Sequence, residues 1–402
     1  MAEPGVPVAA HLDRILALVA PLPPVVVPLA EALGLVSAAD VAAPADLPRF
    51  DHAAMDGYAV RAADVSAPVE LPVLGVVAAG DVTRPVLAPG TALRIMTGAP
   101  VPAGADAVVP FEWTDRGVDR VVVSRPVTAG RHVRRSGEDV AAGDVVVTAG
   151  AALAAAHLAL LAGVGIDSLA VRPAPRVAVV ATGAELAVAG RAAEPGQVAD
   201  SNTVAICAAA QAAGARATIF GPVPDDPAVL VGRLTAAAED ADLVVTTGGV
   251  SAGDHDVVKA ALRDREGFWF GGVAVKPGRP QGCGTVVASD GRRVPVVCLP
   301  GTPVAAYCSF RLFAEPALHA LAGRPARSRR AVLDAPVEVA ADRATVLPAA
   351  FVAPGRVAQL PGHVGHSQRL LAAADVLLVV PPGGAPLPAG SEVEILSLGE
   401  RA

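Results

Sequence analysis

The chain has 402 residues, a formal net charge of −7 at pH 7 and four cysteines without CxxC spacing. This length predicts several domains of about 150 residues each. The acidic balance, with only two short arginine clusters, excludes an extended nucleic-acid-binding surface. We expect no signal peptide, because no basic segment precedes an apolar one near the N-terminus. A cytoplasmic protein with reduced, mostly buried thiols is therefore predicted.

Residues 145–166 contain no charged side chain and are long enough to cross a bilayer. Much of this stretch is alanine and glycine, however, Gly150 interrupts it and His157 lies inside it. We interpret it as a strand over 145–148, a turn and an alanine-rich helix. No membrane association is predicted.

The order of helical and strand-like sequence patterns along the chain predicts a multidomain protein of α/β and β domains. Apolar residues at helical spacing predict a helix over 11–20, and a second helix is predicted over 28–39. Short valine-rich runs then indicate a small β-domain, with strands at 71–77, 91–96, 107–111 and 118–123. A helical sequence pattern returns after Gly150. We therefore predict a helical domain of residues 1–45 and 140–172, into which a β-domain of residues 46–139 is inserted.

Strands and helices alternate from residue 173 to 326. Predicted strands are 176–181, 217–221, 243–247, 268–275 and 294–299, and predicted helices are 202–213, 227–239 and 303–322. This alternation predicts an α/β domain with a mostly parallel sheet, which binds ligands at the carboxyl ends of its strands. Period-two runs in residues 327–402 predict a C-terminal β-domain.

The stretch from 243 to 256 holds the strongest local signal. An apolar strand ends in a glycine-rich loop, and an amphipathic helix follows, an order that directs backbone N–H groups at an anion. The loop residues predicted to contact a phosphate are Thr247, Gly248, Gly249, Ser251 and Gly253.

Carboxylates flank this loop at Asp242, Asp254 and Asp256, where a phosphate alone would be repelled. Hard divalent cations take oxygen ligands, so we predict a phosphorylated ligand together with Mg²⁺. Further polar segments follow other strands, at 182–185, 276–279 and 300–303. A parallel sheet would bring these strand ends together.

Only two lysines occur in the chain, Lys259 and Lys276. We predict that Lys276 binds phosphate and that Lys259 is a helix surface residue, since ammonium and guanidinium groups are not interchangeable at such sites. No third metal ligand is evident in the sequence beside His363 and His366. We therefore interpret their segment as a surface loop.

Eight motifs in order resemble the molybdopterin molybdenumtransferase family, which is related to the C-terminal domain of gephyrin. They are Met55-Asp-Gly-Tyr-Ala-Val60, Arg94-Ile-Met-Thr-Gly-Ala-Pro100, Gly137-Glu-Asp139, Thr182-Gly-x-Glu-Leu186, Thr247-Gly-Gly-Val-Ser251, Gly253-Asp-x-Asp256, Lys276-Pro-Gly-x-Pro280 and Leu299-Pro-Gly-x-Pro303. Any one of them is a weak signal, but the complete ordered set spans nearly the whole chain.

The resemblance implies an elongated homodimer with an active-site cleft between subunits. It implies insertion of molybdate into adenylylated molybdopterin with Mg²⁺. It also implies a molybdopterin adenylyltransferase and molybdoenzymes as partner proteins. The implied catalytic residues are Asp56, Thr97, Asp139, Glu185 and Asp256. The implied metal ligands are Glu185, Asp242, Asp254 and Asp256. Lys276, Arg279, Pro300 and Pro303 join the glycine loop as implied cofactor-binding residues.

The sequence departs from the family pattern at several motif positions, including Ala184, Arg279, Thr302 and Gly365. These departures leave an alternative open, a non-catalytic or altered-specificity paralogue that passes molybdopterin to a partner enzyme. A third interpretation uses the α/β domain alone, which also resembles the molybdopterin adenylyltransferases. The flanking domains and the Lys276 motif argue against it.

Overall fold

The computed structural model describes residues 5–66, 68–80, 82–83, 85–187, 190, 194–251, 256–325, 328–362 and 365–399. Its internal contacts define two compact units. The α/β unit comprises Met1–Val25, Gly34–Ala38 and Val171–Ala402, and the N-terminal β unit comprises Val26–Leu33 and Ala39–Ala170. The predicted four-domain boundaries stay a prediction.

The helices and strands of the described residues are as follows. The helices are α1 (Val8–Leu16), α2 (Ala155–Gly163), α3 (Asn202–Ala212), α4 (Pro227–Asp240), α5 (Val257–Leu262), α6 (Pro303–Ser309), α7 (Glu315–Leu321) and α8 (Gln368–Ala373). A π-helical turn, Phe310–Ala314, joins α6 to α7. The first strands are β1 (Val25–Pro28), β2 (Val36–Ser37), β3 (Val41–Ala42), β4 (His52–Ala53), β5 (Gly57–Val60), β6 (Val69–Val77), β7 (Ala92–Ile95), β8 (Ala107–Pro110), β9 (Arg120–Val123), β10 (Val133–Arg134) and β11 (Val145–Val147). The remaining strands are β12 (Ser168–Arg172), β13 (Arg176–Ala181), β14 (Leu186–Ala187), β15 (Val198–Ala199), β16 (Arg216–Ile219), β17 (Leu243–Thr247), β18 (Trp269–Gly272), β19 (Val275–Lys276), β20 (Pro280–Val287), β21 (Arg293–Leu299), β22 (Arg329–Leu333), β23 (Ala344–Ala353), β24 (Arg356–Gln359), β25 (Val376–Val380) and β26 (Glu392–Ser397).

The N-terminal β unit is built on a five-stranded sheet of order β8-β5-β7-β6-β9. Strand β5, which pairs with β8 and β7, is buried along its whole length, and Tyr58 and Val60 lie in the core. Gly57 is required here because a Cβ at this position would lie 2.0 Å from the Val109 carbonyl oxygen. The predicted β-domain is confirmed, and its Asp-Gly pair opens a core strand.

The α/β unit contains a six-stranded sheet of order β16-β13-β17-β21-β20-β18. The first four strands run parallel, as predicted. Successive residues of β13 and β17 alternate between two cores, one formed with α3 and the α6–α7 segment and the other with α4 and α5. Strands covered on both faces are continuously apolar, which explains the unbroken run in β17.

Strand β20 was not predicted from the sequence. Its glycines do not favour a strand in the sequence, but the packing requires them. A Cβ on Gly282 would lie 2.4 Å from the Phe270 ring, and one on Gly284 would lie 2.5 Å from the Phe268 ring. The two rings stack with their planes 10° apart. Glycine inside a strand thus marks a close approach by a neighbouring group.

The C-terminal strands close into a barrel, because β23 pairs with both β24 and β25. Leu347, Val357 and Leu378 are among the residues of its core. The short strand β19 pairs in parallel with β23, placing Lys276 opposite Thr345. The predicted C-terminal β-domain is confirmed, and a residue predicted for the ligand site is attached to it.

Two sequence predictions about helices have different outcomes. The helix predicted over 28–39 is wrong: β1 ends at Pro28, a single 3₁₀ turn spans Leu29–Glu31, and β2 begins at Val36. The prolines before it and Gly34 explain why no longer helix forms. Residues 145–166 form β11 and the nine-residue α2, as predicted. No helix among the described residues has the length and apolar character that crossing a membrane requires.

All four cysteines are buried free thiols, as predicted. Burial raises the pKa of the Cys298 and Cys308 thiols to about 12. Since the thiolate is the reactive form, these side chains are inert core residues.

Helix α1 buries a histidine completely. The His11 ring lies 4.7 Å from the Phe313 ring and 4.9 Å from the Trp269 ring, and neither of its nitrogens has a hydrogen-bond partner among the described residues. The Cζ atom of Arg14 lies 4.2 Å from the centroid of the Trp269 ring. Burial, and then the charge of Arg14, lower the pKa of His11 from 6.5 to about 4.

We predict that this histidine makes the protein acid-sensitive. Because the pKa is lower in the folded state, the stabilisation is present above pH 6.5 and is lost as the pH falls through about 4. At about 1.4 kcal/mol per pKa unit, the full loss is about 3 kcal/mol. Urea unfolding of the wild type and His11→Leu should therefore show a smaller stability difference between pH 7 and pH 4.5 in the variant. Equal pH dependence of the two proteins would contradict this.

Candidate active site

Polar loops meet at the carboxyl edge of the α/β sheet, as the strand order requires. They enclose a cavity of about 630 Å³, which we call the glycine-loop cavity. The loops that follow β13, β17 and β21 line it, together with the start of α3 and the turn at Gly278 and Pro280. The size falls in the range of small-ligand sites.

Eight of the predicted site residues line this cavity. They are Glu185, Thr247, Gly248, Gly249, Ser251, Asp256, Pro300 and Pro303. Gly248 and Gly249 both have positive φ. A Cβ on Gly248 would lie 2.8 Å from the Thr182 carbonyl oxygen, and one on Gly249 would lie 2.9 Å from the Val258 nitrogen. The loop is therefore a backbone surface that only glycine can form.

Asn202, which was not predicted, joins the two loops that hold the ligand site. Its Nδ2 donates to Thr247 Oγ1 and to the Gly301 carbonyl, both at 2.8 Å. Thr247 Oγ1 in turn donates to the Pro300 carbonyl at 3.1 Å. Asn202 is the only asparagine in the chain, but composition alone does not reveal its partners, which are 45 and 99 residues away.

We predict that Asn202→Ala damages catalysis more than folding. The change removes two hydrogen bonds worth about 1 kcal/mol each, so the free energy of unfolding should fall by about 1–3 kcal/mol. Because the two loops lose their link, kcat/KM should fall at least about tenfold. Thermal melting and steady-state kinetics measure both quantities. A loss of stability with unchanged kcat/KM would show that the link is only structural.

The acidic lining is suited to a divalent cation. Glu185, Asp225 and Asp256 all contribute to the cavity surface, and Asp225 accepts a hydrogen bond from the Ala184 nitrogen at 3.1 Å. Within the described part of the chain, no three His, Cys, Asp or Glu side chains form a complete metal site. Mg²⁺ is typically held by one or two carboxylates plus substrate phosphates, so the donors present fit it.

An unpartnered hydroxyl lies beside the glycine loop. Thr182 Oγ1 is buried and has no hydrogen-bond partner among the residues described. A Cβ on Gly248 or Gly249 would lie 3.1–3.2 Å from it. Thr182 belongs to the Thr-Gly-x-Glu motif but was not predicted as a site residue.

The prediction that Asp242 ligates a metal is corrected by its position. Asp242 precedes β17, at the opposite end of the strand from the glycine loop, about 16 Å away for five residues of strand. Its carboxylate binds Arg176 through the backbone nitrogen at 2.8 Å and the guanidinium at 2.8 and 3.2 Å. Asp242 anchors the start of β13 and is removed from the candidate ligands.

Lys276 lies in a second cavity of about 360 Å³, which we call the lysine cavity. Arg343, Thr345 and Glu338 of the C-terminal domain also line it, as does Gly365. The Lys276-to-Pro280 turn contributes residues to both cavities.

Hydrogen bonds from Gln281 support the turn between the two cavities. Gln281 Nε2 donates to the Gly278 carbonyl and to Ser309 Oγ, both at 2.7 Å. Gln281 and Ser309 are fully buried. The backbone that separates the cavities is therefore rigidly supported by a polar core contact.

Some predicted residues lie elsewhere. Arg279 is exposed, lines neither cavity, and packs its guanidinium over Gly272. Gly253, Asp254 and His363 lie outside the described residues.

Asp56, Thr97 and Asp139 belong to the N-terminal β unit. Asp56 Oδ1 accepts hydrogen bonds from the Thr97 nitrogen at 2.6 Å and the Thr97 hydroxyl at 2.7 Å. These bonds, the backbone one first, lower the pKa of Asp56. Asp56 is exposed, so the unit presents a preorganised carboxylate to solvent.

The loop that carries Asp139 is also anchored. Asp51 accepts hydrogen bonds from the Ser136 nitrogen at 2.8 Å and from Arg135 at 2.6 Å. Asp46 accepts one from the Ser136 hydroxyl at 3.0 Å. Asp139 itself is exposed. The loop before Asp139 is thus held by solvent-exposed hydrogen bonds to the segment before Asp56.

A glycine-rich loop and three carboxylates line one cavity at the edge of an α/β sheet, an arrangement typical of proteins that bind phosphorylated ligands. Three family models match in succession: "MoeA N-terminal region (domain I and II)" over residues 6–165, "Probable molybdopterin binding domain" over 178–320 and "MoeA C-terminal region (domain IV)" over 330–398. The chain belongs to the molybdopterin molybdenumtransferase family, a family of transferases in molybdenum cofactor biosynthesis.

Individual relatives agree with this assignment. Molybdopterin molybdenumtransferase 2 of Mycobacterium tuberculosis is 42% identical over 401 residues, covering 93% of this chain and 95% of the relative. Molybdopterin molybdenumtransferase 1 of the same organism is 36% identical, with 94% and 95% covered. The crystal structure of the molybdopterin biosynthesis moea protein from Pyrococcus horikosii superposes with a TM-score of 0.82 at 31% identity, covering 98% and 99% of the two chains.

Proposed function

We propose that this protein inserts molybdate into adenylylated molybdopterin, releasing AMP and water and giving molybdenum cofactor. The observation that carries the proposal is the glycine-loop cavity, where Glu185 and Asp256 line the same space as a backbone anion site. The names of the relatives supply the substrate class. The cavity has carboxylate oxygens that can ligate a cation and backbone N–H groups that can bind the phosphates of a nucleotide diphosphate linkage.

The residues divide the work in the glycine-loop cavity. The Gly248 and Gly249 backbone and the Ser251 hydroxyl would hold phosphate oxygens, and Glu185 and Asp256 would hold Mg²⁺ beside them. The bound Mg²⁺ would neutralise charge that develops as the phosphorus–oxygen bond to AMP breaks. Asn202 keeps the two loops at fixed separation, so these groups are preorganised for that change.

The lysine cavity is the proposed position of molybdate. Lys276 and Arg343 provide two cationic groups for an oxyanion, and Thr345 adds a hydroxyl. The 300–303 turn lines the glycine-loop cavity and not the lysine cavity. Because the Lys276-to-Pro280 turn borders both spaces, molybdate and the diphosphate linkage would lie on either side of it.

The N-terminal β unit would complete the site from a second subunit. We infer a homodimer in which Asp56 and Thr97 face the glycine-loop cavity of the partner, with Asp139 nearby. Support comes from the family resemblance and from the exposure of the preorganised Asp56 carboxylate. A cytoplasmic location and exchange with adenylyltransferase and molybdoenzyme partners are proposed on the same resemblance.

One observation favours a carrier as the second candidate function. Gly365, where the family resemblance implies a serine, lines the lysine cavity without a polar side chain. A weaker oxyanion site would leave molybdopterin binding intact and reduce turnover. Matches to the N- and C-terminal family regions do not favour an isolated adenylyltransferase.

The test is AMP release from adenylylated molybdopterin by purified protein with molybdate and Mg²⁺. We expect release that depends on molybdate and stops when EDTA removes the cation. Tight binding of the substrate without AMP release would support the carrier. Release of pyrophosphate from ATP with molybdopterin would support an adenylyltransferase.

A further inference from the structure

A third cavity, of about 340 Å³, adjoins the glycine-loop cavity. We call it the tyrosine cavity. Its lining includes neutral residues of three helices and their flanks: Ser201, Ala205, Tyr307, Gln368, Leu371 and Ala372. No charged side chain of the described residues lines it. Asn202 and Pro303 line both this cavity and the glycine-loop cavity, so the two spaces are neighbours.

The lining suits a flat, uncharged ring with polar edges. Tyr307 offers an aromatic surface, and Leu371, Ala205 and Ala372 offer apolar surface. Gln368 Nε2 lies 3.4 Å from Ser201 Oγ, which places an amide and a hydroxyl side by side. Amide side chains recognise the alternating donors and acceptors on the edge of a nitrogen heterocycle. Stacking between aromatic or apolar groups with edge hydrogen bonds is how enzymes hold isolated bases.

We propose that the tyrosine cavity is the subsite for a neutral nitrogen heterocycle at one end of the ligand whose phosphates occupy the glycine-loop cavity. This inference rests on the proposed function, which supplies a substrate with such a ring at each end, a nucleobase and a pterin. The backbone N–H groups of the glycine-loop cavity suit the phosphates, and Lys276 and Arg343 of the lysine cavity suit the oxyanion. The uncharged lining here suits only the ring.

The test fills the cavity from two sides. Ala205→Leu on α3 and Ala372→Leu on α8 place a larger side chain in the space, and leucine is a good helix former. Ala208→Leu is the matched control, because Ala208 is exposed on α3 and lines no cavity described above. Calorimetry of each protein with AMP, neopterin monophosphate and pyrophosphate separates ring binding from phosphate binding.

We expect both cavity-filling variants to bind one ring-bearing probe at least tenfold more weakly, with pyrophosphate binding and melting temperature close to those of Ala208→Leu. A selective effect on AMP identifies a nucleobase subsite, and one on neopterin monophosphate identifies a pterin subsite. Unchanged binding of both ring probes overturns the inference while leaving the proposed function intact. Wild-type protein that binds none of the three probes contradicts the proposed function as well.

Discussion

Asp256→Asn and Glu185→Gln should each lower the rate of AMP release by about 10²–10³-fold, with little change in melting temperature. Both carboxylates line the glycine-loop cavity, where they are proposed to hold Mg²⁺ against the substrate phosphates. Removing a ligand charge weakens the stabilisation of charge that develops in the transition state. Stability should change by less than about 0.5 kcal/mol, because Glu185 is exposed and Asp256 is only partly buried.

Matched controls are available nearby. Asp264→Asn and Glu266→Gln make the same chemical changes at exposed positions that line none of the three cavities. Initial rates at saturating Mg²⁺, with melting curves for all four variants, complete the comparison. If rate and melting temperature fall together in the cavity variants, the carboxylates have a structural role and the assignment of Mg²⁺ to them is wrong.

Lys276→Met should raise the KM for molybdate and lower kcat/KM by about 10–100-fold. A hydrogen bond to a charged group contributes about 1.5–3 kcal/mol, which corresponds to this range. Lys276→Arg should recover only part of the loss, since a guanidinium fork does not reproduce an ammonium. The stability change should be small because the Lys276 side chain is exposed.

The other lysine provides the control for this experiment. Lys259 lies on α5 and lines none of the cavities, so Lys259→Met should change kcat/KM by less than about twofold. Kinetics against molybdate concentration, at several ionic strengths, measure the effect. Equal losses from the two lysine variants would mean that overall charge, rather than the lysine cavity, governs the reaction.

Much of the architecture follows from local patterns in the sequence. Strands β13 and β17 begin and end where their apolar runs predict, because strands buried on both faces carry unbroken apolar sequences. The glycine loop was predictable because Gly248 and Gly249 adopt conformations that other residues avoid. Parallel strand ends then gathered eight predicted residues around one cavity.

The errors arise where tertiary contacts override local pattern. Strand β20 is rich in glycine, and only the packing of Phe268 and Phe270 against it explains why. Asp242 was assigned by its nearness in sequence to the loop, but a strand separates its two ends by its full length. Asn202 and Gln281 act through hydrogen bonds to residues distant in sequence, which no spacing rule reveals.

The most direct test of one shared site mixes two inactive proteins. Asp56→Asn and Asp256→Asn homodimers are each expected to have very low activity. If each site combines Asp56 of one subunit with Asp256 of the other, a heterodimer of the two variants retains one native site. Random reassociation should then restore about a quarter of wild-type activity. Subunits that exchange without any recovery of AMP release would contradict the account, because the two carboxylates would not then serve one site across the dimer.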